Sequence, residues 1–589
     1  MEMVLLPRDI LLTTRKIRAL QLLMASEDCT AADLVFCLLS LWQQRCFPNL
    51  PRQNLIPSRL VSANPSISEF AAHLSQLDFF EAAFWLSSAY AIWVGDRLRT
   101  ERAMFFTPPA LALRVIDDLL ASGASLTESR WLDPACGGAA FLAPVASRMR
   151  EALAQNGKSA TERLVHIANH LAGSDIDPTL CELSRQFLRM ALAQDIAETG
   201  IEPVWSVTQL NALTDLTTWF STVDVIVCNP PYRKLRTSEL DIYREAYASV
   251  IEGQFNLYGL FIKLTMDLLK ADGRAGLLTP TSYLSGQSFS KLRTYLLKHA
   301  EVEQLGIIAK RLGVFMRVEQ ETMVTVLKRR QGSRNLTKST NILVYDRTRT
   351  FIEVGACSLP NSGSSWPVPR SPSDLNIITT MSKSRYRLDD YGYTARIGAY
   401  VDYRDKYELK TYTQSRGRCI KRELRMLVWS SDIGTDKSLQ INRLAAKDHK
   451  CLIDIAKRPG TSVITRPAVA MQRVTSPDQT KRLVAAAVPK ALLEQGVVGE
   501  NHVIFLEQRE KKTALTPSQL ASVLASIPVD RYFRCISGAV NVSIFELEQL
   551  PLPDPEVLAG LLRKGIPVDE AVNKAFMKQV RPDEAKKNA

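Results

Sequence analysis

The chain lacks cysteines paired at short spacing; its ten are scattered from Cys29 to Cys535. That pattern excludes a disulfide framework and a zinc cluster, and it suits reduced thiols in a cytoplasmic protein with no bound metal. Long uninterrupted apolar runs are also missing. The most apolar stretch, LDFFEAAFWLSSAYAIWVG, carries Asp78 and Glu81, and the start, MEMVLLPRDILLTTRKIRAL, has no apolar core after a basic segment. Neither a membrane span nor a signal peptide is expected. There is no internal repeat. The first hundred residues show no metal-carboxylate nuclease pattern.

What is present is length, a basic balance and an ordered set of motifs. A chain of 589 residues has room for about three to four domains. The net charge of +13 and pI near 9.2 point to an acidic partner. Between Lys328 and Lys450 there are 24 basic and 12 acidic residues, so this segment carries a surplus of 12, nearly the whole excess. Aromatics are interleaved with those charges, as in SRYRLDDYGYTARIGAYVDYRDKYELKTYTQSRGRCIKRELR, the composition of a surface that touches phosphates and bases. The plainer alternative is a solvated basic domain.

Patterning divides the chain into four parts. Residues 1–98 read as helical, with apolar positions at helical spacing in TAADLVFCLLSLWQQ and SEFAAHLSQLDFFEAAFWLSSAYAIW. Residues 99–330 alternate short strands with helices, from WLDPA through LAGSDID, VWSVTQLNAL, VDVIVCN, RAGLLTP and EQLGIIA to MVTVLK, a rhythm that predicts a parallel α/β sheet. Residues 331–552 are irregular, basic and rich in turns, and read as a separate module. Residues 553–589 form a helical, charged tail.

Three turns inside the second part carry chemistry. In RWLDPACGGAAFLAPVASRM a strand delivers Asp133, and Ala135, Gly137, Gly138 and Ala139 let a ligand approach the backbone before a helix begins near Phe141. In LAGSDIDPTLCELSRQFL a second strand ends in acids, and Asp175 is placed to bind a ribose hydroxyl pair. In VDVIVCNPPY a β-branched strand runs into two prolines. The stiff turn presents the Asn229 amide, the Pro230 carbonyl and the Tyr232 ring at a strand's carboxyl end.

With FFTPP at 105–109, DPACGGAAF at 133–141, SDID at 174–177 and NPPY at 229–232 in that order, the chain resembles the S-adenosylmethionine-dependent adenine-N6 DNA methyltransferases of bacterial restriction-modification systems, in their γ arrangement. The likeness is strong over about 100–330. It continues more loosely to RCISGAVNVSIFELEQLPLPDP, which looks like the close of a recognition domain. It implies an α/β fold: a class I, Rossmann-like methyltransferase domain with a mostly parallel seven-stranded sheet, an N-terminal helical region, and a C-terminal mixed α+β target-recognition domain. The implied cofactor is S-adenosyl-L-methionine without a metal. It would be held by Thr107 at the methionine end, Asp133 and the small-residue turn, Asp175 at the ribose, and Asn211 and Pro231 at the adenine. Members usually have an Asp at the place of Asn211, whose amide oxygen can still accept, and often a glycine at that of Ala139.

The implied reaction, EC 2.1.1.72 in class, explains the prolyl turn. An adenine amino group is a poor nucleophile because its lone pair is delocalised, and two acceptors, Asn229 Oδ1 and the Pro230 carbonyl, would turn that lone pair toward the methyl. The base must be flipped out of double-stranded DNA, stacking on Tyr232 and, by the resemblance, touching Phe315 in GVFMRVEQETMVTVLK. A core aromatic is the plainer reading of Phe315. The implied partners are double-stranded DNA and a separate cognate endonuclease, with a monomer or weak dimer acting in the bacterial cytoplasm. Protein-glutamine and RNA base methyltransferases use the same turn, though few need so large a basic module. From another class, the chain could be an inactive DNA-binding component.

Overall fold

The computed structural model describes residues 7–26, 29–53, 65–308, 321–332, 339–345, 351–402, 404–405, 409–411, 424–445, 449–456, 460–475, 479–510, 513–536, 538 and 540–584. They fall into two compact units, residues 1–280 with 291–353, and residues 281–290 with 354–589.

The first unit is built on a mixed sheet. Its strands are β1 Trp131–Asp133, β2 Leu171–Asp175, β3 Ser206–Gln209, β4 Val223–Cys228, β5 Leu269–Pro280, β6 Ala300–Ile308, β7 Thr322–Arg329, β8 Thr340–Tyr345 and β9 Phe351–Cys357. Their order is β3-β2-β1-β4-β5-β7-β6-β8-β9. The expected seven strands are thus seven of nine. The two additions follow a charged, turn-rich stretch that looks like a boundary in sequence, yet β8 pairs in parallel with β6 from Gln304↔Asn341 to Ile308↔Tyr345. β7 runs antiparallel to both of its neighbours, β5 and β6.

Local chemistry accounts for the elements. Val225, Ile226 and Val227 of β4 are buried, as expected of a central strand, and each such side chain contributes about 1.5–3 kcal/mol. The N-terminal helices α1 Pro7–Ser26, α2 Ala31–Cys46, α3 Pro65–Leu74 and α4 Phe79–Trp93 join the same core as the sheet. α2 starts at a capping box in which Thr30 accepts from the Asp33 N–H at 3.1 Å. Four further helices flank the strands nearest the site: after α5 Asp96–Arg102 come α6 Pro109–Ala121, α7 Leu142–Gln155, α8 Ala160–His170 and α9 Pro178–Ala191. Trp42 of α2 packs edge-on against Phe187 of α9 with centroids 6.1 Å apart.

The second unit holds two four-stranded sheets. One orders β10 Tyr393–Ile397, β17 Val503–Gln508, β14 Ala468–Gln472 and β15 Ala485–Ala487; the other β11 Leu409–Thr411, β13 Lys450–Asp454, β12 Leu424–Val428 and β16 Val497–Gly499. The helices Pro555–Arg563 and Val568–Glu584 bury Leu558, Val572 and Phe576 in the core that includes Tyr393, Val469 and Leu506. Of the quoted aromatic and basic stretch, residues 403, 406–408 and 412–423 lie outside the described residues. No described helix is long and apolar enough to cross a membrane.

Candidate active site

β1 and β4 are parallel neighbours, and the strand order reverses between them. In an open α/β sheet the crevice at the carboxyl ends of such a pair takes the ligand. The turns after β1, β2, β3 and β4 all open there. A cleft of about 220 Å³ is lined by Thr107, Asp133, Ala135, Gly137, Asp175, Asn211, Asn229 and Pro231, so every residue read as cofactor-binding shares one cavity with Asn229. Pro230 is buried beside it. Phe315 lies outside the described residues.

After β1 the chain turns tightly. Asp133 is buried and accepts from the Ala135 N–H at 3.0 Å, and burial followed by the nearby Asp175 charge pushes its carboxyl well above the usual range. Gly137 has φ +50°, and a Cβ there would stand 3.1 Å from the Phe106 ring. At Gly138 a Cβ would fall 1.9 Å from Ser87 Oγ of α4. Ala139 adopts φ +56°, the left-handed conformation that glycine adopts at least cost.

β2 ends at Asp175, and Asp177 follows it with different work. Asp175 accepts from the Gly137 N–H at 3.0 Å and the Asp177 N–H at 2.9 Å while its carboxylate lines the cleft. Burial outweighs those bonds and raises its pKa to about 6. Asp177 faces inward. It caps α9 through the Thr179 N–H at 2.8 Å, accepts from the Tyr90 hydroxyl at 3.1 Å, and pairs with Arg102. After β3, the Asn211 oxygen accepts from the Leu213 N–H at 3.2 Å and its Nδ2 donates to the Tyr243 hydroxyl at 3.2 Å. One lone pair that sequence reasoning offered to a ligand is therefore engaged in a helix cap.

The prolyl turn orders its polar atoms closely. Asn229 Nδ2 donates to the Phe105 carbonyl at 3.1 Å and to Thr107 Oγ1 at 3.0 Å. Asn229 Oδ1 accepts from the Tyr232 hydroxyl at 2.6 Å. Sequence reasoning missed Tyr243, Arg102, and the ion pair of Arg233 with Glu239 at 2.6 Å, all at the cleft wall. The Arg233 and Glu239 pair follows NPPY so closely that its opposite charges were the one available signal. Among the described residues no group of three or more His, Cys, Asp or Glu is placed to hold a metal ion.

Known proteins give this geometry its class. Residues 169–315 match the family described as Eco57I restriction-modification methylase. The chain is 22% identical over 346 residues to the Type II methyltransferase M.BsuBI of Bacillus subtilis, covering 57% of this chain and 66% of that protein. It is 22% identical over 382 residues to the Type II methyltransferase M.PstI of Providencia stuartii, covering 59% and 70%. Among solved structures it is similar in fold to the Type IIL restriction-modification enzyme MmeI in complex with DNA, with a TM-score of 0.60 at 12% identity over 95% of this chain and 90% of that one. These matches bear out the resemblance to restriction-modification methylases drawn from the motifs.

Proposed function

We propose that this protein transfers a methyl group from S-adenosyl-L-methionine to the N6 amino group of a flipped-out adenine in a specific double-stranded DNA sequence. The observation that carries the reading is the Asn229 carboxamide. Its nitrogen is held by two protein acceptors, so its oxygen is the end available to accept from an adenine amino group. Together with the Pro230 carbonyl, that oxygen would take both amino hydrogens and turn the nitrogen lone pair outward. Tyr232 would stack on the base, and Phe315 would touch its other face.

The cleft residues fit the cofactor. Asp175 offers a carboxylate to a ribose diol, and the Gly137 turn keeps side-chain bulk away from the cleft. Asp133 and Ala135 shape that turn, and Asn211 and Pro231 border the adenine. When bound, the cofactor supplies a methyl group already activated by its sulfonium. The basic surplus between Lys328 and Lys450 supports contact with DNA by residues 331–552. In this reading residues 99–330 form the catalytic domain, 1–98 its helical buttress and 553–589 a tail, and the product protects DNA from a separate nuclease.

The test is incubation with labelled S-adenosylmethionine and unmethylated genomic DNA, followed by nucleoside analysis. N6-methyladenine is expected. Label in protein or RNA, with none in DNA, would move the reading to another methyltransferase that uses this turn.

A further inference from the structure

Thr107 is expected at the methionine end of the cofactor, but its hydroxyl is hydrogen-bonded to Asn229. Phe105 and Thr107 both accept from Asn229 Nδ2, at 3.1 and 3.0 Å, so both amide hydrogens are used within the protein. Thr107 is 2% exposed, and the FFTPP string is stiffened behind it: Pro108 holds φ −59° and Pro109 opens α6. A hydroxyl alone could tolerate either end of a carboxamide, since it both donates and accepts. The Phe105 carbonyl can only accept. A flipped amide would set two oxygens against each other where the donor now stands at 3.1 Å, and the second hydrogen would lose Thr107.

We propose that Thr107 is a positioning residue for methyl transfer, its hydroxyl working with the Phe105 carbonyl to fix the direction of the Asn229 carboxamide. The inference rests on the adenine-methylation reading and changes one part of it, the role of the Thr107 side chain. Thr107→Val keeps the shape and removes the acceptor. One amide hydrogen is then buried without a partner, and the Phe105 carbonyl alone is left to hold the carboxamide, so its direction is less narrowly fixed. The side chain acts on transfer rate, not on cofactor affinity.

The experiment measures single-turnover methyl transfer to unmethylated genomic DNA and equilibrium binding of S-adenosylmethionine for wild type, Thr107→Val and Thr107→Ser. We expect Thr107→Val to slow transfer at saturating cofactor at least about tenfold while its cofactor dissociation constant stays within about threefold, which also reports that it is folded. Thr107→Ser, which keeps the hydroxyl, should recover most of the rate. Asn229→Asp supplies an independent reading, because a carboxylate would repel the Phe105 carbonyl whereas a protonated carboxyl can donate to it. Its rate relative to wild type should rise as pH is lowered from 8 toward 6. A Thr107→Val protein with weakened cofactor binding and an unchanged saturated rate would overturn the inference while leaving the methylation reading intact, as would an Asn229→Asp rate ratio flat with pH. A wild-type protein that binds the cofactor but methylates no adenine overturns the reading itself, and the inference with it.

Discussion

The Tyr232 hydroxyl lies 2.6 Å from Asn229 Oδ1 and 3.0 Å from the Leu278 carbonyl, two acceptors for a single hydrogen. Burial holds the phenol well above its usual range, so the hydroxyl remains a donor at any working pH. When an adenine amino group donates to Oδ1, the hydroxyl can pass its hydrogen to Leu278 and leave no buried group unpaired. Tyr232→Phe, which keeps the ring, should therefore slow transfer less than about tenfold. Tyr232→Ala loses the stacking surface, about 1–3 kcal/mol per base, or roughly 5- to 150-fold. Single-turnover rates compare the two, and a Phe variant as slow as the Ala variant would count against a stacking role.

If Asp175 holds the cofactor as proposed, it sets a pH limit on binding. Its folded pKa is raised from 3.8 to about 6, so burial favours the neutral form of the free protein. Such a raised carboxyl costs folding stability as pH climbs through that window, and the cost is fully present above it. In the proposed complex ribose hydroxyls would donate to the carboxylate, so binding would favour the ionised form. Affinity for S-adenosylmethionine should be level above about pH 7 and fall up to tenfold per unit below about 6. In Asp175→Asn the binding curve should be weaker and level across that range. Calorimetric titration from pH 5 to 8 reads both curves.

Two glycines predict opposite shifts in stability. At Gly138 a Cβ would fall 1.9 Å from Ser87 Oγ and 2.8 Å from Ser87 Cβ, where α4 presses on the turn after β1. Gly138→Ala should cost about 1–3 kcal/mol and weaken cofactor binding. Gly560, within the helix Pro555–Arg563, has nothing within 4 Å of such an atom. Gly560→Ala should be neutral to stabilising, by up to about 1 kcal/mol. Thermal unfolding of the two variants checks the signs.

These contacts show why some of the molecule was legible in sequence and some was not. β4 and its prolyl turn are local, a β-branched run stopped by Pro230 and Pro231, and they stand where the pattern put them. The same holds for α2, announced by Thr30 and Asp33. β8 was not legible as part of the main sheet, because only its long-range pairing with β6 places it there. Asn211 looked free to accept, but its engagement depends on Leu213 and Tyr243. One of the two acceptors of the Asn229 amide is the backbone carbonyl of Phe105, an atom every residue has, so no residue type could have marked it.

In the proposed reading this chain methylates DNA and a separate protein cuts it. Supercoiled plasmid incubated with magnesium and S-adenosylmethionine should stay intact on a gel. Discrete site-specific fragments would mean that a nuclease is built into this chain.

In the proposed reaction Asn229 accepts from an adenine amino group. The most direct test of that role is transfer of labelled methyl to unmethylated genomic DNA by wild type and Asn229→Ala, with cofactor binding measured on both. Wild type should yield N6-methyladenine, and the variant at least a hundredfold less at nearly unchanged cofactor affinity. Equal incorporation by the two proteins would contradict it.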